Sequence, residues 1–384
     1  MTDLATARML LERLVAFPTV CTGPNRALVE WVEGWLAERG VSCVRLPDPA
    51  QPGKESLYAM AGPAVEGGVV LSGHTDVVSV EGQDWTSDPW TVTERDGRLI
   101  GRGCCDMKGF DALAIAAIAL AAQRPLKRPL QLALSHDEEL GCLGCIPMIE
   151  AMQALPRAAA VIVGEPTQMR IVTGHKGGGS WRIRIHGFEV HSSILHTGVN
   201  AIHEAAKILH WINEMNAEGA QAARGAPFVP AWTTLHTGKI QGGTAHNITA
   251  RLCEFAVGFR VIPGESLADW HAKLMAKVAE VETQMKAVRP ETWIEVSEDF
   301  TLPALAPEEN GAAEALARAL TGRNDSGVVS YATEAGQFQT RGWSAVVCGP
   351  GNIEQAHQPD EWLALSQLEE GWAFMERLVD RLCA

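Results

Sequence analysis

The chain contains the stretch Leu71-Ser-Gly-His-Thr-Asp-Val77, followed by Gly101-Arg-Gly-Cys-Cys-Asp-Met-Lys-Gly109. The apolar run from Gly67 to Ser72 predicts a buried strand that delivers His74 and Asp76 at its far end. Because residues two apart in an extended chain share a face, both side chains should point to one place. An imidazole beside a carboxylate suits a metal site, although this pair alone is more typical of an ordinary loop after a strand.

Further polar groups recur along the chain, and most of them follow an apolar, strand-like run. They are Asp106, the stretch Ser135-His-Asp-Glu-Glu139, the stretch Gly164-Glu-Pro-Thr167 and the stretch Ala356-His-Gln-Pro-Asp360. In open α/β sheets, ligands bind at the carboxyl ends of the strands. The distribution of these groups therefore favours a functional site at the strand ends.

Composition excludes several classes of function. The 384 residues carry a formal net charge of −14, which argues against nucleic acid or an anionic membrane as partner. We expect neither a signal peptide nor a membrane span. Nine cysteines, an odd number, favour a reduced cytoplasm over a disulfide framework. The lone Cys142-Leu-Gly-Cys145 motif has no second pair, so we expect small residues at a helix start rather than a zinc knuckle.

Strands and helices alternate in the first part of the chain, which predicts an α/β domain with a mostly parallel central sheet flanked by helices. A β-α-β-β-α-β order then follows over about 120 residues and predicts a compact, ferredoxin-like α+β unit. We therefore expect residues 1–176 and 301–384 to form one domain, with residues 177–300 inserted in it. The glycine run 177–179 is the expected hinge. Ser366 is the expected N-cap of the last helix, with Glu369 completing a capping box.

Seven motifs stand in a fixed order along nearly the whole chain. They are residues 72–76, 101–109, 137–139, 164–167, His191-Ser-Ser193, Gly242-Gly-Thr-Ala-His-Asn247 and residues 356–361. Each motif is a weak pattern, but together they resemble the M20 metallopeptidase family and, within it, the acetylornithine deacetylases. The resemblance implies a two-metal amide hydrolase with a catalytic domain and an inserted dimerisation or lid domain.

The resemblance also implies the metal ligands. His74 and Glu165 would hold one ion, Glu139 and His357 the other, and Asp106 would bridge the two. Two imidazoles and three carboxylates form a mixed nitrogen and oxygen site that suits zinc, with cobalt or manganese as alternatives. Each carboxylate could instead be a solvated loop acid, and Asp106 could be the N-cap of the helix that follows it.

Catalytic roles follow from the same resemblance. Glu138 is the expected general base, which takes a proton from the attacking water and gives it to the leaving amine. Asp76 is expected to orient His74 through the second ring nitrogen. His191 resembles the family histidine that reaches the partner subunit's site in a homodimer. The alternative for His191 is a surface histidine on a loop of the inserted domain.

The substrate would be a small N-acyl amino acid. Arg260 resembles the family arginine that clamps the α-carboxylate, a task suited to a planar guanidinium, and Asn247 would be its neighbour. Glu334 could face a cationic side chain of the substrate, or could be a surface acid. The expected reaction converts N2-acetyl-L-ornithine to acetate and L-ornithine. Alternatives are another M20 amidase (an aminoacylase, a succinyl-diaminopimelate desuccinylase or a dipeptidase) or a non-catalytic metal-binding paralogue.

Overall fold

The computed structural model describes residues 2–222 and 224–384, and the chain divides into two compact units. The large unit consists of Met1–Gly174, Pro307–Gly327 and Thr333–Ala384. The small unit consists of His175–Ala306 and Val328–Ala332. Within the described residues, no helix combines the length and the apolar character needed to cross a membrane.

Helices and strands are numbered along the whole chain. The helices outside the small unit are α1 (Leu4–Val15), α2 (Arg26–Ala37), α3 (Lys108–Ala121), α4 (Cys145–Met152), α7 (Ala312–Thr321), α8 (Ala335–Thr340) and α9 (Leu365–Cys383). The main sheet consists of β1 (Cys43–Pro47), β2 (Glu55–Ala61), β3 (Gly68–His74), β6 (Leu130–Ser135), β7 (Ala158–Pro166), β8 (Ile171–His175), β14 (Ser326–Val329) and β15 (Ala345–Gly349). A separate small sheet consists of β4 (Thr93–Arg95), β5 (Arg98–Ile100) and β16 (Trp362–Ala364).

The main sheet has eight strands in the order β1-β2-β6-β3-β7-β15-β8-β14. Its four central strands, β6, β3, β7 and β15, are parallel to one another. Antiparallel pairs lie towards the edges, where β1 pairs with β2, β2 with β6 and β8 with β15. The predicted α/β architecture with a mostly parallel centre is therefore confirmed. Parallel strands covered on both faces must be apolar throughout, and every residue of β3 is buried.

Helix α3 is the buried centre of the large unit. Every residue from Lys108 to Ala119 is buried, and the helix contacts α1, α9 and the strands β3 and β6. Small side chains allow this close packing. At Gly164 in β7, a Cβ would lie only 1.9 Å from a ring carbon of Phe110. Glycine is therefore required directly before Glu165, because a larger residue would push the strand away from the helix.

The small unit is a two-layer α+β structure with its own hydrophobic core. Its elements are β9 (Gly177–His186), α5 (Ala201–Ala222), β10 (Thr234–His236), β11 (Ile240–Gly242), β12 (Leu252–Val261), α6 (Leu267–Val288) and β13 (Trp293–Leu302). The strand order is β10-β12-β9-β13, and β11 also pairs with β12. The expected β-α-β-β-α-β unit is confirmed, with two short strands, β10 and β11, at the position of its second strand.

Two local features differ from the sequence expectations. The glycines at 177–179, the expected hinge, lie in a strand rather than a loop: all three pair with β12 at the start of β9, and Gly178 and Gly179 also pair with β13. Ser366 is not an N-cap, because α9 begins at Leu365 and its cap residue, Ala364, has no side-chain hydrogen bond. Ala364 still belongs to β16 and pairs with Arg98, so the strand leads directly into the helix.

Candidate metal centre and active site

Three parallel strands bring most of the expected site residues to one edge of the main sheet. His74 is the last residue of β3, Glu138 and Glu139 follow the end of β6, and Glu165 lies at the end of β7. His74 pairs in register with Ser135, the last residue of β6. Because parallel strands end on the same side, these side chains converge although they are far apart in sequence.

Asp106 and His357 reach the same place from loops. The backbone amides of Cys105 and Asp106 donate to Oε1 of Glu361 over 2.9 and 3.0 Å. Glu361 also accepts a hydrogen bond of 2.6 Å from the Arg102 guanidinium, and both side chains are 1% exposed. The motif at residues 356–361 includes Glu361 but does not predict this contact. Its buried ion pair with Arg102 is the contact that holds the Asp106 loop.

The distances within this cluster place Asp106 between the two imidazoles. Its Oδ1 lies 3.0 Å from Nε2 of His74, and its Oδ2 lies 3.2 Å from Nε2 of His357. The same nitrogen of His74 is 3.6 Å from Oε1 of Glu165. The nitrogen of His357 is 3.1 Å from Oε2 of Glu139. Each imidazole therefore has one carboxylate of its own and shares Asp106 with the other.

Burial and mutual repulsion destabilise the charged forms of these carboxylates. Burial raises the pKa of Glu138 to about 8 and, together with repulsion by Asp106, raises the pKa of Glu139 and of Glu165 as well. Burial also acts on Asp106, but its contacts with His357 and His74 outweigh this effect and hold its pKa below the ordinary value. Acidic groups gathered at this density favour binding of a cation.

The donor set fits divalent metal ions. One ligand atom each of His74, Asp106 and Glu139 lies within 4.8 Å of the other two. A second group with the same spacing consists of His74, Glu138 and Glu165. Imidazole nitrogens with carboxylate oxygens are ligands that zinc, cobalt and manganese accept. The five expected ligands are therefore brought together, and Glu138 lies beside them.

Asp76 contacts the cluster differently from our expectation. Nδ1 of His74 lies 2.9 Å from the backbone carbonyl oxygen of Asp76, whereas the carboxylate is 3.6 Å away. The carboxylate instead accepts hydrogen bonds from the amides of Glu138 and Glu139, over 3.3 and 3.2 Å. Asp76 thus orients the ring with its backbone, and its side chain positions the loop that carries the two glutamates.

Glu334 is not the surface acid that we considered as an alternative, because it is only 1% exposed. It accepts a hydrogen bond of 3.1 Å from the Ser72 hydroxyl and a shorter one from the Ser135 hydroxyl. These serines lie near the ends of β3 and β6, so Glu334 lies close to the metal cluster. Burial raises its pKa to about 7.

The remaining expected residues lie on the surface of the small unit. His191 is exposed, and its Nδ1 accepts a hydrogen bond of 3.1 Å from the Ser193 amide at the start of the 3-10 turn Ser192–Thr197. Asn247 is also exposed, and its carbonyl oxygen accepts from the Ser192 amide over 2.9 Å. Arg260 is exposed on β12, opposite Gly178 of β9. The structure brings His191 and Asn247 together, and the functional roles of all three stay predictions.

Comparison with known proteins identifies the family. A sequence profile described as peptidase family M20/M25/M40 matches residues 70–381. The chain belongs to this family. It is 34% identical to an acetylornithine deacetylase from Myxococcus xanthus, over 99% of this chain and 98% of that protein. An acetylornithine deacetylase from Pasteurella multocida is 31% identical over 97% of both chains. This M20 protein is a hydrolase that acts on amide bonds.

Solved structures share the fold. An M20 family metallo-carboxypeptidase from Sulfolobus solfataricus superposes with a TM-score of 0.79 at 16% identity, over 98% of this chain and 99% of that one. A Bacillus subtilis protein, described as a dinuclear metal binding peptidase from the M20 family, superposes with a TM-score of 0.68 at 17% identity, over 99% and 98% of the two chains. At this level of identity, the likeness concerns the fold alone.

We predict that the apparent affinity of this M20 protein for zinc falls as the pH is lowered. Contacts with Asp106 and Glu139 raise the pKa of His357 to about 10, so at lower pH an incoming ion must displace a proton from the ring. Titration calorimetry in buffers of different ionisation enthalpy, between about pH 6 and 9, measures this proton release. His357→Gln should release about one proton fewer, and an affinity that does not change with pH would contradict the prediction.

Proposed function

We propose that this protein hydrolyses N-acyl amino acids, with N2-acetyl-L-ornithine as the substrate and acetate and L-ornithine as products. The observation that carries the proposal is the position of Asp106 between two imidazoles, each of which has a further carboxylate beside it. Relatives that are 31–34% identical over nearly their whole length are acetylornithine deacetylases. In this proposal, the large unit is the catalytic domain.

The proposed site uses two divalent ions. His74 and Glu165 would hold one, Glu139 and His357 the other, and Asp106 would contact both. When bound, such ions polarise the amide carbonyl and lower the pKa of the attacking water. The mixed nitrogen and oxygen donors support zinc, with cobalt or manganese as alternatives.

Glu138 is the proposed general base. Its side chain is 12% exposed, and Oε2 lies 4.0 Å from Nε2 of His74, so this oxygen faces the cluster. It takes a proton from the attacking water and later donates that proton to the nitrogen of the leaving amine. The carboxylate is thereby regenerated, and one water molecule is consumed for each amide bond broken.

Glu138→Gln should lower kcat about 100- to 10,000-fold, because the amide cannot accept the proton. Metal content should stay unchanged, since all five proposed ligands remain. The measurements are steady-state hydrolysis of N2-acetyl-L-ornithine and elemental analysis of the purified protein. Glu38→Gln, at an exposed position after α2, is the control and should behave as the unmodified protein. Loss of metal in parallel with loss of activity would assign Glu138 to the ligands instead.

Charged and polar side chains outside the metal ligands would recognise the amino-acid part of the substrate. Arg260 would bind the α-carboxylate through two parallel hydrogen bonds, with Asn247 as a neighbouring polar contact. In its ionised form, Glu334 adds negative charge near the ends of β3 and β6, which favours a substrate with a cationic side chain. This preference distinguishes the proposal from the other M20 amidase activities.

A panel of N-acetyl, N-succinyl and N-formyl amino acids tests the choice of substrate. We expect N2-acetyl-L-ornithine to be preferred, and Glu334→Gln to raise its KM by about 10-fold through loss of one charge interaction. The KM for N-acetyl-L-methionine, which has no cationic side chain, should change by less than about twofold. An equal effect on both substrates would limit Glu334 to a structural role. Preference for an N-succinyl diacid would favour the desuccinylase alternative.

The small unit would be the dimerisation or lid domain of a homodimer, and would carry His191 to the partner's site. Support comes from apolar side chains around this histidine. Ile194 and Leu195 follow it in the 3-10 turn and are 46% and 45% exposed, and Ile248, which bridges to His191, is 41% exposed. Exposed apolar groups beside a polar functional residue are typical of an interaction surface.

Mixed dimers test this arrangement. The His191→Ala subunit keeps Glu138, and the Glu138→Gln subunit keeps His191, so each mixed dimer should contain one complete site. With random pairing, half of the dimers are mixed and activity should recover to about a quarter of normal. His191→Ala alone should lose about 100- to 1,000-fold in kcat, as expected for one oxyanion donor. Activity no higher than the sum of the separate variants would exclude the cross-subunit role.

A further inference from the structure

Cys142, the first residue of the CxxC motif, contacts the carboxylate of Glu138. Its thiol donates a hydrogen bond of 3.2 Å to Oε1 of Glu138, and the cysteine is only 1% exposed. The other carboxylate oxygen, Oε2, is the one that lies 4.0 Å from His74. The two oxygens of Glu138 thus have different surroundings, with one held by the thiol and one facing the cluster.

The backbone around Cys142 is shaped so that the thiol can reach this position. The amides of Gly141 and Cys142 both donate to the carbonyl oxygen of Glu138, each over 2.9 Å, and close a tight turn. Cys142 has a φ of 56°, in the left-handed region that residues with a Cβ rarely adopt. The thiol of Cys145 donates to the Cys142 carbonyl oxygen over 3.1 Å. The CxxC pair therefore stabilises the turn directly after the proposed base.

We propose that Cys142 is a positioning residue for the general base, and that its thiol orients the Glu138 carboxylate so that Oε2 faces the attacking water. This inference rests on the proposed role of Glu138. A general base acts in its ionised form, in which the carboxylate can only accept hydrogen bonds, so the thiol is the donor in that form. When Oε2 carries the proton taken from water, Oε1 still accepts from the thiol, and the orientation is kept through the reaction.

Substitutions at position 142 separate this role from simple packing. Alanine removes the hydrogen-bond donor, whereas serine retains one. Alanine and serine both have a Cβ, as cysteine does, so the positive φ should destabilise the backbone equally in the two variants. Cys142→Ala should lower kcat about 5- to 20-fold with KM within about twofold, as expected for loss of one orienting hydrogen bond. Cys142→Ser should remain within about threefold of the normal kcat.

Cys348→Ala is the matched control. Cys348 is a fully buried thiol in β15 of the large unit, and it has no place in the proposed site. The kcat of the Cys348→Ala variant should be unchanged. Circular dichroism and metal content should be normal for all three variants. A serine variant as slow as the alanine variant would overturn the inference, because a donor would then be of no benefit.

A second background tests whether Cys142 acts through Glu138. Glu138→Asp keeps a base but withdraws the carboxylate from the thiol, so adding Cys142→Ala should cause no further loss of kcat. A packing role would lower kcat equally in both backgrounds and would contradict the inference. If Glu138→Gln retains normal kcat, the proposed base is wrong. If that variant is inactive and Cys142→Ala has normal kcat, only the positioning role fails.

Infrared spectroscopy gives a readout that does not depend on catalytic activity. The S–H stretching band is sensitive to hydrogen bonding, so removing the acceptor with Glu138→Ala should shift the band of one thiol among the nine cysteines. The difference spectrum against the unmodified protein isolates this band. A difference spectrum without an S–H feature would show that the thiol does not donate to Glu138.

Discussion

The concentration of buried carboxylates at one edge of the main sheet is the constraint on which the site depends. Asp106 and Glu165 are buried, and Glu138 and Glu139 are nearly so. Burial and repulsion raise the pKa of three of the four, which means that the ionised cluster is unfavourable without positive charge. The two imidazoles supply part of this charge as ring protons, and divalent ions can replace those protons.

The surrounding fold holds this cluster together through contacts of residues that have no proposed role in substrate binding. Parallel strands β3, β6 and β7 bring their ends to one line, and the buried Arg102–Glu361 pair fixes the loop of Asp106. Two further contacts hold the loop after β6. The Asp76 carboxylate accepts hydrogen bonds from the loop's backbone amides, and the Cys142 thiol donates to the Glu138 side chain. The candidate site residues on loops are therefore held by hydrogen bonds to other parts of the large unit.

Fold and substrate are separate questions for this enzyme. Metallo-carboxypeptidase and dinuclear peptidase structures with only 16–17% identity share the fold, so the fold is compatible with several amide substrates. The proposed metal ligands would account for amide hydrolysis in general. Selection of an amino acid must depend on groups outside this cluster, and the buried Glu334, bonded to Ser72 and Ser135, is a candidate.

Sequence alone predicted the element types and the grouping of the candidate metal ligands, because periodicity and motifs can be read without knowledge of packing. Only the tertiary structure decided how Asp76 contacts His74, that the glycines at 177–179 belong to a paired strand, and that Glu334 is buried. Glu334 meets Ser72 across 262 positions of sequence. Such contacts depend on how elements that are distant in sequence pack against each other. A local sequence pattern therefore cannot predict which polar side chains will meet.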